Sequence, residues 1–236
     1  MKPLLRIALI AAGLLLPGAA LAESRTYDLP DFDGVSVSAG IVAIVTVGEA
    51  QSVIAEAPSE AVLNRLEVDV RGGRLSLGID SNMLDWLFNL GRQRDIVVRV
   101  SAPALKTGDA SSGADLDIKG MAGDRLSLSA SSGASVAASG ITGGDVTIDV
   151  SSGASMSAAG NCTTLSANAS TGANLDADNL VCPGVTANAS TGAQMSVSAS
   201  SSLSADASTG AGISVSGEPG RTEVNSSTGG SITFAP

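Results

Sequence analysis

The sequence predicts an all-β protein of the right-handed parallel β-helix type, a β-solenoid, and three observations support this prediction. A four-residue motif recurs every 18 to 20 residues through the C-terminal half. Hydrophobic and polar residues alternate with period two around each copy, as they do in β-strands. The chain is rich in small residues and has 2% aromatic residues, although 44% of its residues are hydrophobic. A stack of similar narrow units fits such a composition better than an ordinary globular core does.

The repeated motif is Ser-Ser/Thr-Gly-Ala, with glycine replacing alanine in the last copy. Its glycines are Gly113, Gly133, Gly153, Gly172, Gly192, Gly210 and Gly229. Consecutive copies therefore lie 20, 20, 19, 20, 18 and 19 residues apart. A period this short and regular indicates stacked structural units. The sequence thus predicts about seven regular C-terminal rungs of 18 to 20 residues within residues 106–236.

The alternation around the motif glycine, taken as position 0, predicts which side chains face the core. Odd positions from −7 to +5 hold hydrophobic or small residues, apart from Lys106 at −7 of the first repeat, and most even positions hold polar ones such as Asn168 and Asp176. The odd positions should point inward, including a ladder of hydroxyl groups at position −1: Ser112, Ser132, Ser152, Thr171, Thr191, Thr209 and Thr228. Antiparallel hairpins would also alternate, but they should carry a turn signal at their midpoint, whereas this alternation passes through the glycine without losing phase.

The two cysteines test the predicted register. Cys162 and Cys182 each lie ten residues before the next motif glycine, so they should occupy equivalent places on adjacent rungs. A rung spacing of ~4.8 Å falls within the range of Cα–Cα distances that a disulfide tolerates. We expect a structural disulfide, which suits an exported protein. Free thiols and a reactive role are the alternatives, and no basic residue lies near either cysteine in the sequence to support reactivity.

The first 22 residues predict a cleaved export signal. Lys2 and Arg6 precede the hydrophobic run 7–16. A small-residue triplet follows and ends at Ala22, the predicted cleavage site. The hydrophobic run is too short to remain as a membrane-spanning helix. We therefore expect an exported bacterial protein that is periplasmic, on the cell surface or extracellular, with no membrane span.

The charge of the chain argues against several classes of partner. The chain has 13 basic and 23 acidic residues, and removal of the signal, with Lys2 and Arg6, leaves 11 − 23 = −12. This negative charge disfavours nucleic acids and anionic membrane surfaces as partners. The first cysteine is Cys162, far beyond the predicted cleavage site, so we also expect no lipid anchor.

Residues 23–236 are expected to form a single β-solenoid domain, of which residues 23–105 form irregular N-terminal rungs and a cap. Its hydrophobic runs lie at 35–37, 41–47, 66–70, 75–79 and 96–100. Segment 82–90 breaks the strand pattern and contains Trp86, the one tryptophan of the chain. We interpret this segment as a cover over one end or side of the solenoid, since repeat stacks need protected ends. A partner-binding patch is the alternative interpretation.

Four stretches carry a resemblance to a known family. They are residues 32–37, 41–47, 66–77 and 98–105, in which short alternating strands are joined by Gly-containing turns. Together they make the chain similar to the head GIN domain family, the heads of putative auto-transporter adhesins, and the resemblance covers most of residues 23–236. It implies a right-handed β-helix in bacterial envelope or secreted proteins. It brings no established catalytic residue to transfer to this chain.

Few residues are available for catalysis or metal binding. The sequence has no histidine, which excludes Ser-His-Asp and Cys-His nucleophilic sites and the commonest zinc sites. The candidates are two outward carboxylate pairs, Asp115 with Asp117 and Asp176 with Asp178. They should lie three rungs or roughly 14 Å apart, whereas glycosidase carboxylates lie ~5 to 9.5 Å apart. We expect solvated surface charge, no metal and no cofactor, with weak calcium binding and catalysis as the alternatives.

Two functions remain open after these exclusions. The first is a non-catalytic structural or adhesive binding module whose outer Asp/Asn/Ser face contacts an unknown surface polymer or protein. The alternative is a carbohydrate-active enzyme of the β-helix type, a polysaccharide lyase or hydrolase, although Phe234 is the one aromatic residue of the repeats and the basic residues do not cluster. Ice binding by solenoids uses outward threonine ladders, and the predicted inward direction of the position −1 threonines argues against it.

Overall fold

The computed structural model describes residues 23–79 and 96–235, and it shows a nearly all-β solenoid with 66% strand. Its strands are β1 (Glu23–Tyr27), β2 (Gly34–Val37), β3 (Val42–Val47), β4 (Ser52–Ala57), β5 (Leu66–Arg71), β6 (Arg74–Ile79), β7 (Val97–Ala102), β8 (Thr107–Ala110), β9 (Asp115–Lys119), β10 (Ala122–Ala130), β11 (Ser135–Val150), β12 (Ser155–Asn161), β13 (Thr164–Ala169), β14 (Asn174–Ala189), β15 (Gln194–Ala207), β16 (Gly212–Ser216), β17 (Arg221–Ser226) and β18 (Ser231–Phe234). One helical turn, α1 (Glu60–Leu63), follows β4. Among the described residues, no helix has the length and hydrophobicity needed to cross a bilayer. The predicted export signal with Ala22 and the segment containing Trp86 lie outside the described residues.

The strands stack into two walls on either side of the hydrophobic core. Wall A contains, in stacking order, β1, β4, β7, β3, β9, the start of β11, β12, the starts of β14 and β15, β16 and β18. Wall B contains β5, β6, β2, β8, β10, the end of β11, β13, the ends of β14 and β15, and β17. All pairings from β8 onwards are parallel, and the corner at Gly113 and the corner at Gly229 are six turns apart. The predicted β-solenoid is therefore confirmed.

Small side chains are buried directly beside the motif glycine. In the fourth repeat, Ala169 and Ala173 at positions −3 and +1 are buried beside the motif, and Leu165 and Leu175 are buried farther away at −7 and +3. The other repeats have alanine at +1, except the last, which has Gly230, and all of them have a larger residue at +3. Small side chains allow the two walls to approach each other near the motif, because packing leaves little empty volume in a protein core.

The motif itself forms a sharp corner between the walls, and here the prediction of an inward hydroxyl ladder is wrong. At the fourth corner, Thr171 has φ 54° and Gly172 has φ 68°, and the backbone N–H of Ala173 donates a 3.2 Å hydrogen bond to the carbonyl of Ser170. Two consecutive residues with positive φ are the signature of a type I′ turn. Side chains alternate between the two faces of a strand only where the backbone is extended, and the two turn residues at positions −1 and 0 are not extended. Position −1 is consequently exposed in every repeat, at Ser112, Ser132, Ser152, Thr171, Thr191, Thr209 and Thr228.

Backbone hydrogen bonds join each corner to the next one. The N–H of Gly172 donates to the carbonyl of Thr191 at 3.0 Å, and the N–H of Gly192 donates to the carbonyl of Thr209 at 3.0 Å. The same bond recurs between all consecutive motif corners. The corner therefore continues the hydrogen-bond ladder of the walls, so that the N–H group of every motif glycine before Gly229 has an acceptor.

An eighth corner lies in the N-terminal region, where the sequence predicted irregular rungs. Ala39 has φ 59° and Gly40 has φ 71°, and the N–H of Gly40 donates to the carbonyl of Ser112. Residues 34–47 therefore form a regular rung that stacks on β8 and β9. This copy does not match the repeated motif, because it has alanine at position −1 and isoleucine at position +1. The predicted irregularity holds for the antiparallel pairs β1–β4, β4–β7 and β5–β6.

The predicted disulfide is confirmed. Cys162 and Cys182 are bonded, their Cα atoms lie 4.8 Å apart, and both side chains are buried. The Cα–Cα distance equals the expected rung spacing, because the cysteines occupy equivalent positions on adjacent rungs. The described residues contain no free cysteine.

Thr191→Asn is expected to raise the free energy of unfolding by about 1 kcal/mol, because a β-branched residue is strained in the left-handed region and Asn-Gly is the preferred pair of a type I′ turn. Thr191 has φ 52° and is exposed, so that no packing is lost. Urea denaturation followed by circular dichroism measures the change. The control is Thr186→Asn, the same substitution at an exposed position of the extended strand β14, where a small loss of stability is expected. Equal effects at the two positions would show that the corner is not strained.

Candidate functional site

A shallow groove of about 460 Å³ runs along wall B beside the corners and crosses four rungs. Its polar lining consists of Asp149, Asn168, Asn188, Asp206, Ser151, Ser170, Ser190 and Ser208. We call these eight residues the polar groove. They correspond to positions −4 and −2 of four consecutive repeats, so the groove is part of the outer Asp/Asn/Ser face that the sequence predicted.

The groove results from two columns of stacked side chains. Position −4 contributes, from the N-terminal end of the stack, Ser36, Asp109, Ser129, Asp149, Asn168, Asn188, Asp206 and Asn225, which are in parallel register. Position −2 is serine in all eight rungs with a corner: Ser38, Ser111, Ser131, Ser151, Ser170, Ser190, Ser208 and Ser227. The serines have short side chains, and the longer Asp and Asn side chains beside them give the surface its depth.

Side-chain hydrogen bonds order the centre of the polar groove. Asn188 Nδ2 donates to Asn168 Oδ1 at 3.0 Å, and Asn168 Nδ2 donates to Asp149 Oδ1 at 2.9 Å. An amide group has two N–H donors and an acceptor oxygen, so each asparagine keeps hydrogen-bonding capacity that can face a ligand. The ladder holds both amides in one orientation, which lowers the entropic cost of ordering them when a ligand binds.

The chemistry of the polar groove suits uncharged hydroxyl groups. Its side chains supply two carboxylates, two amides and four hydroxyls, and none of them is cationic or aromatic. Asp149 and Asp206 lie three rungs apart, which is roughly 14 Å at the rung spacing. Their separation is greater than that of the carboxylates in glycoside hydrolysis. The arrangement can therefore accept and donate hydrogen bonds along a ligand, but it lacks the paired acid groups of a glycosidase.

The carboxylate pairs that the sequence singled out lie on wall A and do not come together. Register places Asp117 and Asp176 in the same column three rungs apart, as expected. Asp117 forms a 3.6 Å ion pair with Lys119, and burial together with neighbouring Asp176 raises the pKa of Asp178 above its usual value. Within the described residues, no three potential metal-ligating side chains cluster.

Arg74 and Asp109 form an ion pair at the N-terminal end of the position −4 column. Arg74 on β6 is the register partner of Gly34 on β2, which has no side chain to block the way across β2. Asp109 lies on β8 two residues beyond Thr107, the other register partner of Gly34. Burial raises the pKa of Asp109, and the guanidinium of Arg74 opposes that shift. Sequence reasoning missed this pair because the two residues are 35 positions apart and no repeat links them.

A second, smaller groove lies on the outer face of wall A near the C-terminal end of the stack. It has a volume of about 280 Å³, and its polar lining includes Asn174, Gln194 and Ser196. Asn174 and Gln194 are neighbours on adjacent rungs. They provide an amide pair on the opposite wall that can be compared with Asn168 and Asn188.

Comparisons with known proteins agree on the family and the fold. A family model described as "putative auto-transporter adhesin, head GIN domain" matches residues 31–219. A protein named as a putative adhesin from Bacteroides fragilis superimposes with a TM-score of 0.82 at 16% identity, covering 91% of this chain and 97% of that one. One from Parabacteroides merdae has a TM-score of 0.67 at 15% identity and covers 93% and 98% of the two chains.

A third structure is named as a putative lipid binding protein from Parabacteroides distasonis. It has a TM-score of 0.65 at 18% identity and covers 93% of this chain and 98% of its own. At these identities, the solved structures show that the fold is shared and carry no information about residues of a site. A comparison with curated proteins finds no significant match.

Proposed function

We propose that this chain, which belongs to the head GIN domain family of putative auto-transporter adhesins, is an exported, non-catalytic binding module that holds a neutral, hydroxyl-rich polymer in its polar groove. The observation that carries the proposal is the ordered ladder of Asp149, Asn168 and Asn188 beside the serine column. Amide and hydroxyl groups pair well with the hydroxyl groups of a glycan, since each can both donate and accept a hydrogen bond.

The negative charge of the molecule favours a neutral polymer over an acidic one. The full chain has a formal charge of −10, and the polar groove contains Asp149 and Asp206 but no cation. An acidic polysaccharide or an anionic lipid headgroup would meet like charge at both ends of the groove, which costs affinity. The lipid-binding neighbour gives no competing proposal, because eight of the eleven residues that line the groove are polar.

Repetition along the solenoid suits a polymer better than a small molecule. The same pair of positions recurs on every rung at ~4.8 Å, and the groove extends over four of them. A polymer with several equivalent hydroxyl groups can therefore make several weak contacts at once. Linked contacts raise the overall affinity without any single strong interaction.

The proposed non-catalytic role is supported by the separation of the carboxylates. The sequence has no histidine, and the carboxylates of the groove lie three rungs apart. Export is supported by the layout of the first 22 residues and by the disulfide, a bond that is typical of oxidising compartments. A carbohydrate-active enzyme is the alternative, and release of products from a polysaccharide would favour it.

Asn168→Ala combined with Asn188→Ala is expected to weaken binding to a neutral polysaccharide about 10- to 30-fold, because it removes hydrogen bonds worth about 1 kcal/mol each and frees Asp149 from the ladder. Binding is measured on an array of immobilised neutral and acidic polysaccharides. Affinities then come from biolayer interferometry with the neutral polysaccharide that binds best.

The matched control is Asn174→Ala combined with Gln194→Ala, which removes an amide pair from adjacent rungs of wall A. This variant should bind like the unaltered chain. Loss of binding in the control but not in the groove variant would move the site to wall A, and binding to acidic polysaccharides alone would contradict the proposal.

Thermal hysteresis of the unaltered chain is measured in parallel, since the exposed threonine corners remove the sequence argument against ice binding.

A further inference from the structure

The last rung of the solenoid, formed by β17 and β18, leaves core-facing columns uncovered. Val224 is 45% exposed and Phe234 is 50% exposed, whereas Ala205 and Val215, which occupy the same columns one rung earlier, are both 0% exposed. The difference arises because every earlier rung is covered by the next one. No other described strand pairs with the outer edges of β17 and β18.

The strands of the terminal edge contain neither proline nor inward-pointing charges, which are two of the features that protect a sheet edge. Natural edge strands are often blunted by proline, lysine or inward-pointing charges. β18 contains no charged residue and no proline, and the inward positions of β17 are Thr222, Val224 and Ser226. The other end of the stack differs, since antiparallel β1 and the β5–β6 hairpin form it and β1 exposes Glu23.

We propose that the terminal rung is an interface with a second copy of this chain, joined end to end about a two-fold axis. β17 of one copy then pairs antiparallel with β18 of the other, and the reverse pair forms at the same time, as two-fold symmetry requires. Val224 packs against Ile232 and Phe234 of the second copy, which extends the core from one molecule into the next. Both walls gain backbone hydrogen bonds, so the two solenoids become one continuous stack.

The end surface fits a copy of itself better than an unrelated partner. It has the outline and strand spacing of a rung, and rungs of this chain already stack on one another through the same columns. Arg221 and Glu223 on β17 face the uncharged β18 of the second copy, so no like charges meet directly. A head-to-tail contact would instead leave free ends and grow into a filament.

The test is sedimentation equilibrium of the full chain combined with small-angle X-ray scattering. The contact is limited to two strand pairs, so sedimentation covers a wide range of protein concentrations, and added salt should strengthen the dimer by screening the negative charge of the two copies. Eleven stacked strands span about 50 Å, so an end-to-end dimer should have a longest dimension near 100 Å, roughly twice that of the monomer.

Val224→Lys should weaken the dimer at least 10-fold, because it places a charge in the joined core. The matched control is Val181→Lys, which alters an equally exposed valine (46%) on the side of the solenoid and should leave the dimer intact. A monomer at all concentrations, a dimer whose longest dimension stays near 50 Å, or greater sensitivity to Val181→Lys would each overturn the proposal. Scattering uses the unaltered chain, so it remains decisive even if Val224→Lys frays the last rung.

Discussion

Ala187→Asp is expected to destabilise the protein by more than about 4 kcal/mol at pH 7 and to lower Tm by at least about 8 °C. Ala187 is 0% exposed at position −5 of its repeat, and Ala167 and Ala205, its neighbours on the adjacent rungs, are also 0% exposed. A carboxylate there has no partner and no room, and an unpaired buried charge costs several kcal/mol. Thermal unfolding followed by circular dichroism measures the loss.

Thr186→Asp is the control for this prediction, since it places the same carboxylate one residue away on the exposed side of β14. Its effect should stay within about 0.5 kcal/mol. At pH 3 the buried carboxyl is neutral, so the difference between Ala187→Asp and the unaltered chain should shrink. Similar losses for the two variants at pH 7 would show that the alternation of side chains in this strand is assigned wrongly.

Period-two alternation made the strands predictable, because an extended chain has only two sides. In the fourth repeat, the sequence placed Leu165, Ala167 and Leu175 inside and Asn168 and Asp176 outside, as the structure has them. The equivalent positions of Cys162 and Cys182 fixed the register between rungs, and the disulfide followed from it. Both predictions needed only local geometry and a constant repeat length.

The corner could not be predicted in the same way. A serine or threonine before glycine does not predict a left-handed backbone conformation, since Asn and Gly are the residues that favour that conformation. The alternation also resumes in phase at position +1, so that Ala173 follows Thr171 and Gly172 without any visible break. The turn is stabilised by the ladder of backbone hydrogen bonds between corners, such as the one from the Gly172 N–H to the Thr191 carbonyl. These bonds join neighbouring rungs, so the sequence of a single repeat does not predict them.

The sequence predicted the kinds of residue that line the polar groove, but not where on the solenoid they come together. The sequence indicated an outer Asp/Asn/Ser face, and it drew attention to Asp176 and Asp178 because they stand two residues apart. The groove instead joins residues about 20 positions apart, such as Asn168 and Asn188, through the register of adjacent rungs. The predicted cleavage after Ala22 and the single domain of residues 23–236 remain predictions.

Removing the disulfide by Cys162→Ala combined with Cys182→Ala is expected to lower the free energy of unfolding by roughly 3 kcal/mol, which corresponds to a fall in Tm of about 6 to 12 °C. The bond joins residues 20 positions apart on adjacent rungs. The cross-link restricts the unfolded chain and so raises its free energy relative to the folded state. Denaturation in urea under non-reducing conditions measures the change.

Reduction of the unaltered chain separates the cross-link from the packing of the two side chains. Both cysteines are buried, and replacing them with alanine also removes two sulfur atoms from the core. If the cross-link provides the stability, reductant should lower the Tm of the unaltered chain nearly to that of the double variant and should leave the variant unchanged. If reductant has no effect although the bond is shown to be broken, the loss in the variant comes from packing. In that case the hydrogen-bond ladders and the alternating core alone hold the register of the stacked rungs, and the disulfide contributes little to the free energy of unfolding.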